Sequence, residues 1–306
     1  MSRLRHTFPA YLRAMQMSST QLFVFVEGKQ LDPFFYASVC QTVSDAASRY
    51  EICRAVDLSG TGGGKAVLLT FFVYLRSKGQ LISLFKGKRT AAIFFVDKDL
   101  DDVRRTRKRS AHVVYTTYYD VENHIFEHGD LIRGAASAAS VDPALLLPVL
   151  SDARVWCQRS ARRWREWLVL CLCVSEMQVS CQATYRVPSR VQMRPCGPTN
   201  QSAHTRLVSD AASKAGVSTR EFQKRLDIVA RRVDRILSNS DHHRIFKGKW
   251  FASILADEIH QTMGGRPYDS SALPGRLTRV IAATLDFDQP WAAHFREPVA
   301  NVAAQL

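Results

Sequence analysis

The sequence predicts an α/β fold: a Rossmann-like, mainly parallel sheet flanked by helices, followed by a mostly helical C-terminal region. Two observations predict it. Up to about residue 135, short apolar runs rich in β-branched and aromatic residues alternate with longer amphipathic segments, as strands do with crossover helices. Beyond that point helical periodicity takes over. We therefore expect an N-terminal extension over 1–20, an α/β domain over 21–135 and a helical region over 136–306.

The elements follow in order. Gln21–Glu27 (QLFVFVE) reads as a buried strand. Leu31–Arg49 reads as a helix, with Phe34, Phe35, Val39 and Val43 at helical spacing. Tyr50–Asp57 is a second strand, and Lys65–Lys78 a second helix carrying Val67, Leu68, Phe71, Phe72 and Leu75. Ala91–Val96 (AAIFFV) and His112–Thr117 complete the predicted strands. This order implies parallel pairing with right-handed crossovers. Functional groups in such sheets collect where strands end and loops begin.

Residues 142–182 are helical in pattern, with Trp156, Trp164 and Trp167 among arginines. Residues 183–200 hold three prolines and a glycine and read as an irregular connection. Ser218-Thr219-Arg220-Glu221 is a capping box. It opens a helix with the apolar stripe Phe222, Leu226, Val229, Val233 and Ile236, and another helix covers Lys249–Met263. The tetrapeptide FKGK occurs at both 85–88 and 246–249 without implying a repeat.

The formal net charge is +14 over 306 residues, spread along both halves. Such a field attracts polyanions, nucleic acid first among them. The 7 cysteines form no regular framework or zinc spacing and read as buried, reduced thiols. The N-terminus lacks the apolar core of a signal peptide, and the longest apolar run is too short for a bilayer. The expectation is a cytoplasmic protein without membrane contact.

The loop Ser59–Ala66 (SGTGGGKA) approaches a phosphate-binding loop, but Ser59 replaces its leading glycine and Ala66 its metal-binding hydroxyl. It reads either as a turn that opens a helix or as a loop whose amides and Lys65 touch a phosphate.

The acids carry more information. Glu27-Gly28 ends the first strand, and Val96-Asp97-Lys98-Asp99-Leu100-Asp101-Asp102 ends the third. A strand-end D-x-D points two carboxylates one way and suits a hard divalent cation. Asp102 reads as solvated. Arg104, Arg105, Arg107, Lys108 and Arg109 follow immediately, placing phosphate-binding charge beside the acids or forming a solvated run.

Glu27-Gly28, the later Asp97-Lys98-Asp99 and then Tyr118-Tyr119-Asp120-Val121-Glu122-Asn123 resemble, in this order, the Toprim domain of topoisomerases, primases and certain nucleases. The last motif looks like the Y-x-x-E-N of a bacterial branch similar to OLD-family nucleases, which includes the Toprim effectors of PARIS anti-phage systems. The resemblance covers roughly residues 20–130, and the glycine loop has a counterpart in this branch.

It implies a nuclease in which Glu27 is a general acid/base or metal ligand. Asp97 and Asp99 would ligate Mg2+ or Mn2+, and Glu122 would add a further or supporting ligand. Outside the matched motif, Asp101 is expected to join through water, and Asn123 to fix local backbone. Lys65, Lys98, Arg104 and Arg105 are candidate phosphate contacts. Arg231, Arg232 and Arg235, opposite the apolar stripe of their helix, either hold RNA or form a solvated face. The resemblance favours RNA, tRNA-like, over DNA. It also implies restraint by a separate ABC-type ATPase, and a homodimer is compatible with it. The rival expectation is a non-catalytic, partner-binding subunit.

Overall fold

The computed structural model describes residues 7–43, 49–58, 63–101 and 106–306. The chain is α/β, with a mainly parallel sheet flanked by helices and a helical region. It divides into two compact units, 1–121 with 286–306, and 122–285.

The first unit runs α1 (Phe8–Met17), β1 (Leu22–Val26), α2 (Asp32–Gln41), β2 (Tyr50–Arg54), α3 (Ala55–Leu58) and α4 (Lys65–Ser77). It continues through β3 (Ile82–Phe85), β4 (Lys88–Val96) and β5 (Val113–Tyr115). β1 lies between β2 and β4, parallel to both. β5 pairs parallel with the end of β4, while β3 pairs antiparallel with its beginning.

The hairpin of β3 and β4 is absent from the sequence reading, which begins that strand at Ala91. Lys86 and Gly87 both have positive φ (49° and 79°), the backbone of a tight two-residue hairpin turn. The second FKGK, at 246–249, instead enters the 3-10 turn Gly248–Trp250. Two further boundaries move. The second strand yields to α3 at Ala55, and α2 ends at Gln41. Residues 44–48 of the predicted helix lie outside the described residues.

Every residue of β1 is buried, as a strand covered on both faces requires. On one face Phe25 stacks on Phe94 at 4.7 Å between ring centroids, and Phe71 of α4 meets Phe25 at 5.3 Å. On the other, Tyr36 of α2 stacks on Phe95 at 4.2 Å. The final helix of the chain, Ala293–Ala303, reaches this face, and its Phe295 ring packs 5.4 Å from Phe35. Residues 286–306, which the sequence grouped with the helical region, thus close the core of the first unit.

The second unit is helical: α5 (Val121–His128, beginning at the unit boundary), α6 (Leu131–Ala139), α7 (Leu147–Leu150), α8 (Ala153–Arg163) and α9 (Arg165–Glu176), then α10 (Gln201–Lys214), α11 (Thr219–Ser238), α12 (Phe251–Met263) and α13 (Leu273–Ala282). The N-cap bond of the capping box forms, with the Ser218 hydroxyl accepting from Glu221 N–H at 3.2 Å, while the Glu221 carboxylate lies 3.6 Å from Arg225 Nη2. Phe222, Leu226, Val229, Val233 and Leu237 are buried along α11. Trp156, Trp164 and Trp167 are all buried, and Trp156 Nε1 donates to Glu258 Oε2 at 2.5 Å. Gly134 lets α6 approach α13, because a Cβ there would lie 2.6 Å from Ile281 Cγ1. No helix among the described residues is long and apolar enough to cross a membrane.

Candidate active site

The parallel register of β1 and β4, Val26 opposite Phe95, brings Glu27 and Asp97 out at the same end of neighbouring strands. Past Asp97 the chain turns sharply. Asp99 sits at φ 49°, and its N–H donates to the Tyr119 carbonyl at 2.8 Å. Asp101 N–H returns to the Lys98 carbonyl at 3.0 Å, and the Thr106 hydroxyl donates to Asp101 Oδ1 at 2.9 Å.

Into this turn points Lys65, the first residue of α4. Its Nζ lies 2.5 Å from Asp99 Oδ2 and 3.1 Å from Asp101 Oδ2. Burial alone would lower the Lys65 pKa, but Asp99, Asp101 and Glu27 outweigh it and the net shift is upward. The lysine therefore stays charged. Gly64 precedes it at φ 86°, where a Cβ would stand 3.8 Å from Glu27 Oε1. A Cβ on Gly63 would lie 2.6 Å from Val56 Cγ1, so the glycines let the loop pass close to its surroundings. Ser59–Gly62 lie outside the described residues.

Glu27 is the perturbed acid of the cluster. Burial raises its pKa, the Asp99 and Asp32 charges add to this, and Lys65 and the Asp97 main chain oppose it, leaving it at about 7. Its Oε2 is buried without a hydrogen-bond partner. Asp32, which the sequence reading passed over, is buried and accepts from Gly28 N–H at 2.6 Å. A carboxylate near pH 7 exchanges a proton readily under neutral conditions, as a general base must.

Beside the acidic turn opens a cavity of about 1030 Å³, lined among others by Lys98, Asp101, Arg107, Lys108, Arg109 and His294. Arg107 lies over the Tyr115 ring at 5.3 Å, and Lys108 N–H donates to the Tyr115 hydroxyl at 2.9 Å. Lys98 is buried, and its ammonium hydrogen-bonds the Thr117 carbonyl.

The chain matches no protein-family model, and no curated protein matches it in sequence.

The first unit thus gathers Glu27, Lys65, Asp97, Lys98, Asp99 and Asp101, while Arg104 and Arg105 lie outside the described residues. Glu122, Asn123, Arg231, Arg232 and Arg235 belong to the second unit. There Lys249 Nζ lies 3.7 Å from Glu122 Oε1, and Asn123 Nδ2 donates to the Phe246 carbonyl at 3.1 Å. Arg231, Arg232 and Arg235 are exposed along α11, with Arg232 paired to Glu176.

The second unit also holds a group that the sequence reading did not assemble. Potential metal-ligand atoms of Glu127, His242 and His243 all lie within 4.8 Å of one another, the one such set among the described residues. Glu127 comes from α5 and the histidines from the 3-10 turn His242–Arg244, so no sequence spacing announces them. Their arrangement can hold a metal ion.

Proposed function

We propose that the chain is a metal-dependent Toprim nuclease that hydrolyses phosphodiester bonds of nucleic acid, with RNA as the favoured substrate. The observation that carries this reading is the meeting of Glu27 with the Asp97–Asp101 turn at the shared end of β1 and β4, beside a cavity lined by Arg107, Lys108 and Arg109. The same reading makes the protein the toxic effector of an anti-phage system, restrained by an ABC-type ATPase.

The Mg2+ that the resemblance implies would have to draw these acids together. They offer hard oxygens, among them a Glu27 oxygen buried without a hydrogen bond, although no three of these carboxylates lie within 4.8 Å of one another among the described residues and Lys65 already pairs with Asp99 and Asp101. Asp97 and Asp99 would hold the ion, with Asp101 supporting them through water. Bound there, it would draw charge from the phosphate and ease ionisation of the attacking water. Glu27 accepts the proton of that water, and a pKa near 7 leaves much of it ionised at neutral pH. Lys65 holds Asp99 and Asp101 in place, and Lys108 and Arg109 neutralise backbone phosphates.

The test compares wild type, Glu27→Ala and Asp97→Ala on total RNA and plasmid DNA, with and without Mg2+. Cleavage confined to wild type with Mg2+ supports the assignment, and the substrate that is cut decides RNA against DNA. Full activity in both variants would remove these acids from the chemistry.

One observation favours a second reading, a non-catalytic subunit that binds a partner. Lys65 already neutralises Asp99 and Asp101, which is how a site that has given up its metal would be held together. Wild type that binds the ATPase yet cuts neither substrate would establish that alternative.

A further inference from the structure

We propose that Glu127, His242 and His243 form a zinc-class metal clasp that ties α5 to the turn following α11.

The geometry begins with α5. Asn123 and Glu127 are four residues apart and so share one face of the helix. Both reach the same short segment: Asn123 Nδ2 donates to the Phe246 carbonyl at 3.1 Å, and Glu127 Oε2 lies 3.9 Å from His242 Nε2. That segment is preorganised, because Phe246 N–H donates to the His242 carbonyl at 2.8 Å. Glu127 therefore faces the histidines from a rigid helix.

His242 is only 1% exposed, and neither ring nitrogen makes a hydrogen bond of good geometry. A buried imidazole in that state forfeits the hydrogen bonds it had in water. At 3.9 Å the Glu127 carboxylate is too distant to supply one. A metal ion satisfies what the His242 ring lacks, because zinc takes neutral imidazole nitrogen and carboxylate oxygen.

The distances are within reach. Tetrahedral zinc with bonds near 2.0–2.1 Å places its ligand atoms about 3.4 Å apart. The His242–Glu127 separation of 3.9 Å needs only a small side-chain rotation to meet this. The other Glu127 oxygen, Oε1, lies 3.5 Å from Arg154 Nε, so it has an outer partner of the kind that orients a ligating carboxylate. Two imidazoles and a carboxylate select a borderline transition metal over Mg2+, which prefers an all-oxygen shell. This site is accordingly independent of the Glu27 cluster.

The experiment uses the full chain, with any affinity tag removed and metals stripped by dialysis against chelator. Zn2+ is titrated in competition with a chromophoric chelator, and Co2+ is added separately as a spectroscopic probe. The expected result is one tight Zn2+ site per chain, a thermal midpoint raised by Zn2+, and a visible Co2+ absorption of low-coordinate type. Binding should be lost in the double variant His242→Ala/His243→Ala, weakened in Glu127→Gln and kept in Asp97→Asn. Wild type that cannot compete with the chelator overturns the clasp, as does undiminished binding in the histidine variant. Should that variant fail to fold, Glu127→Gln, which preserves shape, decides: affinity and Co2+ spectrum equal to wild type refute the site.

Discussion

Lys65 Nζ lies 2.5 Å from Asp99 Oδ2 and 3.1 Å from Asp101 Oδ2, so one ammonium joins the start of α4 to both arms of the acidic turn. The same charge opposes the upward shift of Glu27. Replacing Lys65 with Met removes it, and the Glu27 pKa rises further above about 7. If Glu27 is the proton acceptor, the acid limb of kcat/KM for nucleic-acid cleavage moves to higher pH. A pH–rate profile with an unmoved midpoint would separate Lys65 from the electrostatics of Glu27.

Glu27 also links stability to pH. Its pKa rises from 4.5 in the reference state to about 7 in the fold, so between those values the folded chain binds more protons than the unfolded one. Stability from this group is complete below the lower value, falls as pH rises through the window and is flat above it. The difference corresponds to about 3 kcal/mol. Glu27→Gln removes the charge and is expected to be more stable than wild type near pH 8, by up to about that amount. Near pH 4 the two should be close. Urea unfolding of both proteins across this range checks the claim, and parallel pH profiles would sink it.

Lys108 and Arg109 are exposed at the cavity beside the acids. If they meet backbone phosphates, Lys108→Ala/Arg109→Ala weakens binding of every nucleic-acid sequence alike. The slope of log affinity against log salt should fall in magnitude by about two. Filter binding on Mg2+-free mixtures at several salt concentrations measures it. A loss confined to one sequence would point to base contacts instead.

At Gly28, an added Cβ would stand 2.4 Å from Asp32 Oδ1, which is closer than atoms tolerate. Gly28→Ala therefore displaces a buried carboxylate that accepts from the Gly28 N–H. The expected cost is about 1–3 kcal/mol, seen as a lower thermal midpoint. Wild-type stability in this variant would show that Asp32 can move aside freely.

Much of this was legible in the sequence because burial writes itself plainly there. LFVFV and AAIFFV are apolar throughout, which marks strands covered on both faces. Their ends then locate Glu27 and Asp97. The strand Ile82–Phe85 was not legible. It is short, half exposed and antiparallel, with Leu84 facing out, so its residues carry no clear period. The role of Lys65 was visible only as a glycine-loop lysine, because its partners Asp99 and Asp101 lie beyond a helix and two strands. Glu127 and His242 are still further apart, and only the packing of α5 brings them together.

Phe295, near the end of the chain, packs against Phe35 and Tyr36, whereas the strands it helps to cover are complete by Tyr115. A ribosome therefore releases the whole sheet and then all of residues 122–285 before the helix that seals the sheet's second face emerges. During synthesis that aromatic surface waits for its cover. The unit holding Glu27 and Asp97 therefore begins folding before residues 122–285 are made and is completed only after them.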